Sequence, residues 1–215
     1  MKIPEGSALL IIDVQKDFCP GGSLEVRGGE DIIPVINALS PRFAAVAATR
    51  DWHPEGHVSF ASAHPNAEPF STADYDYHGS RITQSVWPDH CIAGSDGADF
   101  HQNLNIEPID CILHKGTSPG LDSYSAFYEN DRKTPTGLAG YLHSLSVRTL
   151  YLTGLAEDVC VYYSALDGVK EGFNVLLVTD ATKGIDYPPG SLEERREHMV
   201  SAGIFFTESR NLLVE

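Results

Sequence analysis

The stretch TLYLTGLAEDVCVYYSALDGVKEGFNVLLVTD, residues 149–180, has the pattern of a strand, a helix and a second strand. Residues 149–153 and 174–180 are short apolar runs, which are typical of strands buried inside a parallel sheet. Between these runs lie apolar residues that recur on one side of a helix and a glycine that can end it, namely Val161, Ala165, Val169 and Gly172. The stretch therefore predicts one unit of an α/β fold.

Four more apolar runs match the strand pattern, at residues 8–14, 43–49, 110–114 and 203–206. Helical patterns alternate with these runs along the chain. Such alternation predicts a doubly wound, three-layer α/β/α fold with a central, mostly parallel six-stranded sheet. With 215 residues the chain is long enough for a single domain over residues 1–215, with a long insertion at about 52–108.

Three further helices are indicated by their faces and their ends. The first has an apolar face formed by Ile32, Val35, Ile36 and Leu39. The second follows a cap and a proline at its first position, with the pattern Thr134, Pro135, Leu138, Leu142 and Leu145. The third begins with a capping box and ends at a glycine, with Ser191, Glu194, Met199 and Gly203 in these places.

Composition argues against several classes of partner. Fifteen Lys and Arg against 30 Asp and Glu give a net charge of -15, which repels nucleic acid and anionic lipid, so we expect neither a nucleic-acid nor a membrane partner. Apolar runs stay far below the roughly 18 residues of a membrane span, and the N-terminal run is too short for a signal peptide, so a cytoplasmic location is expected. The four irregularly spaced cysteines predict neither a disulfide framework nor a zinc ribbon.

Polar residues follow the predicted strands at the place where sheets of this type bind ligands, outside the carboxyl ends. These residues are Asp13, Arg50, Asp51, His114, Lys115 and Cys160. Because the carboxyl ends of parallel strands meet at one edge of the sheet, we expect these side chains to converge.

Cys160 is the candidate nucleophile. A place in the first turn of a helix favours its thiolate through the helix dipole, and a nearby Lys115 ammonium would act in the same direction, so a lowered pKa is expected. Asp13 could accept the thiol proton and later deliver it to a leaving group, while the helix N–H groups could stabilise an oxyanion. The alternatives are a cysteine that fills the core, an aspartate that caps a loop and a lysine charge in solvent.

The insertion contains six of the nine histidines and carries a candidate metal site. DWHPEGH places Asp51, His53 and His57 within seven residues, and VWPDHC adds His90. Asp51 and His53 would project to the same side of an extended chain, because side-chain direction repeats every two residues. A carboxylate with imidazoles suits zinc, iron or manganese. The alternative is a solvated insertion with a surface aspartate and incidental histidines.

Five segments in this order resemble the nicotinamidase branch of the isochorismatase-like cysteine hydrolases: LLIIDVQKDFCPGGSL, TRDWHPEGHVSF, VWPDHCIAGSDGADF, KGTSPGLDSYSAF and GLAEDVCV. The resemblance extends over nearly the whole chain. The catalytic triad of the family matches Asp13, Lys115 and Cys160. Its metal ligands match Asp51, His53 and His90, and a further histidine that ligates metal in some members matches His57.

The resemblance implies a nicotinamidase, which hydrolyses nicotinamide to nicotinate and ammonia in the salvage of NAD. Cys160 would attack the carboxamide carbon and form a thioester, with Asp13 moving the proton and Lys115 holding the charges in place. Pyrazinamide would be a second substrate. The resemblance leaves open whether the chain forms a homo-oligomer.

The same resemblance implies how the substrate is held. One divalent metal ion, with zinc as the first expectation and iron or manganese as the others, would bind the pyridine nitrogen. Phe18 and Trp87 would form the walls around the ring. A non-proline cis peptide before Ala156 would aim the N–H of that residue, together with that of Cys160, at the oxyanion. Family members often carry other residues at Glu157 and Val159, so altered wall contacts or pocket charge are expected there.

Three other functions remain open at this point. The first is another hydrolase of the same fold, acting on an N-carbamoyl amide, a ureide or isochorismate, although such relatives are not expected to carry the DWH and VWPxHC elements. The second is a non-catalytic ligand-binding homologue. The third is a thiol redox protein, which would need a resolving cysteine near Cys160.

Overall fold

The computed structural model describes residues 3–214 and contains the predicted parallel sheet. Its strands and the two strands of a separate hairpin are β1 (Ser7–Ile12), β2 (Val46–Asp51), β3 (Thr72–Tyr77), β4 (Ser80–Ser85), β5 (Cys111–Lys115), β6 (Thr149–Leu155), β7 (Asn174–Lys183) and β8 (Phe205–Thr207). The six-stranded sheet has the order β5-β2-β1-β6-β7-β8, and every neighbouring pair in it is parallel. The predicted fold class is confirmed.

Helices cover both faces of this sheet, namely α1 (Ile33–Leu39), α2 (Leu138–Ser144), α3 (Tyr162–Lys170) and α4 (Ser191–Ser201). Leu9 and Ile11 of β1 belong to the apolar cluster that includes α1. Leu10 and Ile12 belong to the opposite cluster, to which the other three helices contribute. β1 is therefore buried on both sides, which explains its unbroken apolar run. Among the helices of residues 3–214, none combines the length and the apolar character that a membrane crossing requires.

Two predicted helix starts are wrong, because the residues chosen as caps bind other partners. α2 begins at Leu138 behind Gly137, which has a φ of 96°, whereas the Thr134 hydroxyl donates a 2.7 Å hydrogen bond to Asp131. α4 follows Gly190 and starts at Ser191, whose hydroxyl donates to Asp158 over 3.0 Å instead of capping its own helix. Both helices thus begin directly after a glycine with positive φ.

The long insertion contains a hairpin that sequence patterning does not predict. β3 and β4 pair antiparallel, and their side chains are mostly exposed or half-buried, so neither strand shows an apolar run. The rest of the insertion is attached to the carboxyl edge of the main sheet in part through an isolated bridge from Gln15, which follows β1, to Phe100. A second bridge, from His53 to Ile92, joins two parts of the insertion. This arrangement brings the insertion's histidines to the strand ends.

Gly154 allows the end of β6 to approach the backbone of β1 closely. Its φ is +111°, and a Cβ at this position would lie 2.6 Å from the backbone nitrogen of Ile12. The pairing of β6 with β7 also shifts between Leu152 and Gly154. Only glycine permits such a close approach, and the chain then turns directly into the segment that carries Cys160.

Candidate active site

Strand register decides which strand-end residues reach the site. Asp51 and Lys115 are register partners on β2 and β5, and both are buried. Arg50 and His114 are also partners, but they point to the other face, where Nη2 of Arg50 lies 2.9 Å from Nε2 of His114 near the surface. The expectation that all six strand-end residues converge is therefore wrong for these two, because side-chain direction alternates along a strand.

The three predicted catalytic residues lie together in the interior. The Nζ atom of Lys115 is 2.9 Å from Oδ2 of Asp13 and 3.5 Å from Sγ of Cys160. It also forms an ion pair with Asp51 and donates to the carbonyl oxygen of Ser123 over 3.0 Å. Oxygen atoms of Asp13 and Asp51 and the sulfur of Cys160 all lie within 4.8 Å of one another. The Lys115 ammonium thus contacts two carboxylates and a thiol.

Burial is the main influence on the pKa values of Asp13 and Cys160. Burial raises the pKa of Asp13 to about 6; the Lys115 charge opposes this rise and the Asp51 charge adds to it. Burial also raises the pKa of Cys160 well above its usual value; the Lys115 charge opposes this rise, and the charges of Asp13, Asp51 and Asp122 add to it. The expected low thiol pKa is therefore wrong for this site. The sulfur is held as a thiol beside a carboxylate that can take its proton.

The Thr49 hydroxyl donates a 2.7 Å hydrogen bond to Oδ1 of Asp13. Thr49 is fully buried on β2, beside β1. This contact fixes one carboxylate oxygen and leaves the other turned toward Lys115. Sequence reasoning did not identify Thr49, since a threonine in an apolar strand carries no signal of its own.

The predicted metal ligands also converge. Nε2 of His53 is 3.7 Å, and Nε2 of His90 is 3.9 Å, from Oδ2 of Asp51. The Nδ1 atoms of the two rings lie 2.9 Å from the carbonyl oxygen of Gly116 and 2.7 Å from that of Pro88. Each ring thus has its Nδ1 proton held by a carbonyl, which leaves the Nε2 lone pair facing the carboxylate. These residues fit a divalent metal ion, and their burial argues against a solvated surface cluster.

Two supporting residues hold these ligands in place. Gln15 donates from Nε2 to the Asp51 carbonyl oxygen and accepts from the Asp51 N–H, both over 2.8 Å. Gly116 has a φ of +62°, and a Cβ there would lie 2.6 Å from Nδ1 of His53. The ring can therefore reach the Gly116 carbonyl only because the side chain is absent.

His57 lies beside the three predicted metal ligands and contacts other partners. Its Nδ1 accepts a 3.2 Å hydrogen bond from the Ser59 N–H, and its Nε2 lies 3.3 Å from the Leu121 carbonyl oxygen. Its ring stacks on that of His53 with 4.2 Å between centroids. The ring nitrogens of His57 are thus occupied by protein partners in this arrangement, and the ring packs against a ligand.

A partly open cavity adjoins these groups. It is lined by the predicted walls Phe18 and Trp87, by the predicted ligands Asp51, His53 and His90, by Ala156 and Cys160, and by Val159, where altered wall contacts were expected. The remaining lining residues were not predicted, namely Leu24, Asp122, Tyr124 and Ile185. The Tyr124 hydroxyl accepts from Nε1 of Trp87 over 3.3 Å and donates to the Ser85 carbonyl, which ties one wall to β4. Aromatic and apolar side chains with a few polar groups thus line the cavity, as is typical of sites for small molecules.

The turn around Cys160 confirms one expectation and overturns another. The peptide bond between Leu155 and Ala156 is cis, and Cys160 lies in a π-helical turn, Glu157–Val161, directly before α3. Val159 lines the cavity, whereas Glu157 does not. The expectation that Glu157 alters the pocket charge is wrong, because its side chain turns away toward Arg196 and Thr182.

Comparisons with known proteins agree with this geometry. A family model described as the Isochorismatase domain matches residues 7–200. A nicotinamidase of Acinetobacter baylyi is 43% identical over 214 residues, which are 100% of this chain and 98% of that protein. A nicotinamidase of Escherichia coli is 39% identical over 200 residues, covering 91% of this chain and 92% of that one.

Solved structures give the same result. The Acinetobacter baumanii nicotinamidase and pyrazinamidase superposes with a TM-score of 0.93 at 46% identity, covering 98% of this chain and 99% of that chain. PnC1 of L. infantum, solved in complex with nicotinate, has a TM-score of 0.83 at 39% identity, with 97% and 96% covered. A pyrazinamidase of Pyrococcus horikoshii in complex with zinc has a TM-score of 0.76 at 37% identity, with 95% and 99% covered.

Proposed function

Since the chain belongs to the isochorismatase family, we propose that it is a nicotinamidase, which hydrolyses nicotinamide to nicotinate and ammonia and also deamidates pyrazinamide. The observation that carries this proposal is the buried contact of Lys115 with Asp13 and with Cys160, at 2.9 Å and 3.5 Å, beside a cavity for a small aromatic ring. A nucleophile, a proton carrier and a cation are thus in reach of one bound amide. The product nicotinate enters the salvage of NAD.

The reaction begins with the thiol form of Cys160. Its sulfur attacks the carboxamide carbon while Asp13, whose pKa is raised to about 6, takes the thiol proton. The tetrahedral intermediate collapses when its C–N bond breaks and Asp13 returns the proton to the departing nitrogen, so ammonia leaves and a thioester remains. Water then attacks the thioester carbon, losing a proton to Asp13, and the proton passes to the sulfur as nicotinate is released.

The Lys115 ammonium and two backbone N–H groups stabilise the negative charges that develop during these steps. Burial lowers the pKa of Lys115, but Asp13 and Asp51 outweigh it and raise that pKa well above its ordinary value, so the ammonium persists. It stabilises the carboxylate form of Asp13 and a developing negative charge on sulfur. The N–H groups of Ala156 and Cys160 serve as the oxyanion donors, and removal of one such donor in other enzymes slows catalysis by about 10²–10³-fold.

Asp51, His53 and His90 would hold one divalent metal ion, which supplies a Lewis-acid contact for the ring nitrogen of the substrate. Zinc is the first choice, because imidazole and carboxylate ligands suit it and because the Pyrococcus horikoshii relative was solved with zinc. Phe18 and Trp87 hold the faces of the ring, and His57 supports His53 through the stacked contact.

The test is ammonia release by the purified protein from nicotinamide, pyrazinamide and an N-carbamoyl compound. We expect turnover of the two amides and none of the third. Cys160→Ala should abolish release and leave thermal unfolding near that of the wild type, whereas Cys111→Ala, at the start of β5 and outside the cavity, should retain activity. Hydrolysis of the N-carbamoyl compound alone, or full activity in Cys160→Ala, would refute the proposal.

A further inference from the structure

Glu157 is a buried carboxylate with a complete set of partners outside the substrate cavity. Only 1% of the residue is exposed. Arg196 of α4 binds it in a bidentate manner, with Nε 2.6 Å from Oε1 and Nη2 3.0 Å from Oε2. The Thr182 hydroxyl of β7 donates to Oε2 over 2.7 Å. One side chain thus connects the turn that carries Cys160 to a strand and to a helix.

Ala156 and four residues of this turn, Glu157 to Cys160, divide between two sides. Ala156, Val159 and Cys160 line the substrate cavity. Glu157 and Asp158 are buried and point the other way. Asp158 accepts from the backbone N–H groups of residues 185 and 186 over 2.9 Å and 2.8 Å. The contacts of Glu157 and Asp158 therefore help to fix the positions of the residues that line the cavity.

Stability alone is a weak reason for such an ion pair. The Glu157 side chain is 1% exposed and that of Arg196 is 34% exposed, so desolvation of the carboxylate offsets much of the Coulomb energy of the pair, and apolar residues of the same volume often serve stability as well. A bidentate guanidinium contact differs from apolar packing because it fixes distance and direction. Here the contact with Arg196 fixes Glu157, which lies in sequence between Ala156, the proposed oxyanion donor, and the nucleophile Cys160.

We propose that Glu157 and Arg196 form a positioning pair, which sets the place of the Cys160 sulfur and of the Ala156 N–H relative to Asp13 and thereby acts on kcat and not on substrate binding. The part concerning kcat rests on the proposed function. The part concerning the sulfur does not, because the reactivity of Cys160 toward an alkylating agent can be measured without any amide substrate.

The experiment compares Glu157→Gln, Arg196→Lys and Arg196→Met with wild type. Glutamine keeps the size and the acceptor for Thr182 but loses the charge, and lysine keeps the charge but loses the fork. Arg132→Met is the matched control, since it removes the 2.8 Å ion pair of a different buried carboxylate, Asp167 of α3, away from the turn. Three quantities are measured for each protein: kcat and KM for nicotinamide, the rate of iodoacetamide modification of Cys160 followed by peptide mass, and thermal unfolding.

We expect kcat to fall by about 10- to 100-fold in the Glu157 and Arg196 variants, as for a misplacement of about 1 Å at a reacting group, with KM changed less than about twofold. The Cys160 modification rate should change in the same variants and stay at the wild-type value in Arg132→Met. The pair is merely structural, and the proposal is wrong, if these variants lower thermal stability as the control does but keep the wild-type kcat and modification rate.

Should Arg196→Met fail to fold, Glu157→Gln and Arg196→Lys decide the matter. A wild-type protein that releases no ammonia from either amide would overturn the proposed function. In that case a modification rate that differs from wild type in Glu157→Gln but not in Arg132→Met still supports the positioning pair, and an unchanged rate overturns it.

Discussion

Replacing Gly116 with alanine should weaken metal binding, although residue 116 offers no ligand. Its carbonyl oxygen lies 2.9 Å from Nδ1 of His53, and the ring lies directly over the missing side chain. A Cβ at residue 116 would lie 2.6 Å from Nδ1, whereas ordinary contacts begin at 3.4 Å. Either the His53 ring or the backbone must therefore move.

The expected size of the effect follows from this collision. The ring has to yield by about 1 Å, which disturbs both the Nδ1 contact and the direction of the Nε2 lone pair. Loss of an outer-shell partner of a metal-bound histidine typically costs about 10- to 100-fold in metal affinity. Alanine at a φ of +62° also costs about 1–2 kcal/mol of stability, independently of the metal.

Gly79→Ala separates the two contributions. Gly79 has a φ of +78° in the β3–β4 turn, and a Cβ there would meet nothing within 4 Å. Gly79→Ala therefore has the cost of alanine at a positive φ but no collision with a neighbouring side chain. Zinc affinity is measured by competition with a chromophoric chelator, together with thermal unfolding of the chelator-treated proteins. A zinc affinity of Gly116→Ala within about twofold of that of Gly79→Ala would show that the contact with His53 does not control the site.

Three other experiments, with four substitutions, test separate parts of the site. The proposed mechanism requires an ionised Asp13 to accept the thiol proton, so kcat/KM should fall as the pH drops through about 6. Thr49→Val removes a hydrogen bond that lowers the pKa of Asp13 and should move the acidic limb upward by about one pH unit; an unmoved limb would exclude Asp13 as the base observed. Elemental analysis should find little metal in His53→Ala but near wild-type content in His57→Ala, and equal loss in both would make His57 a ligand. Arg50→Ala should leave kcat within about twofold of wild type, because this side chain lies on the other face of the sheet; a tenfold loss would contradict the assigned faces.

Features of the sequence that depend on local pattern were predictable. The apolar run of β1 indicates a strand buried on both sides, and the rule that ligands bind at carboxyl ends of parallel strands places Asp13, Asp51, Lys115 and Cys160 at one edge. The same rule applied without strand alternation wrongly included Arg50, whose direction is fixed by its register within β2.

Features that depend on distant partners were not predictable. Ser191 looks like a helix cap, but its hydroxyl binds Asp158, which is far from it in sequence. The outward direction of Glu157 depends on Arg196, 39 residues later. Tyr124 lies in a long segment without regular periodicity between β5 and α2, and only the folded chain shows that it contacts Trp87.

The order of the strands has a consequence for how this protein can change over evolutionary time. The four residues proposed as lysine, metal ligand, base and nucleophile lie on, or in the segments that follow, four adjacent strands, β5, β2, β1 and β6. Neighbouring strands are spaced about 4.8 Å apart by backbone hydrogen bonds, which tolerate side-chain replacement. Mutations that accumulate in the hairpin or in the helices can thus reshape what enters the cavity while the chemical machinery keeps its dimensions, so new amide specificities are accessible without rebuilding the reaction itself.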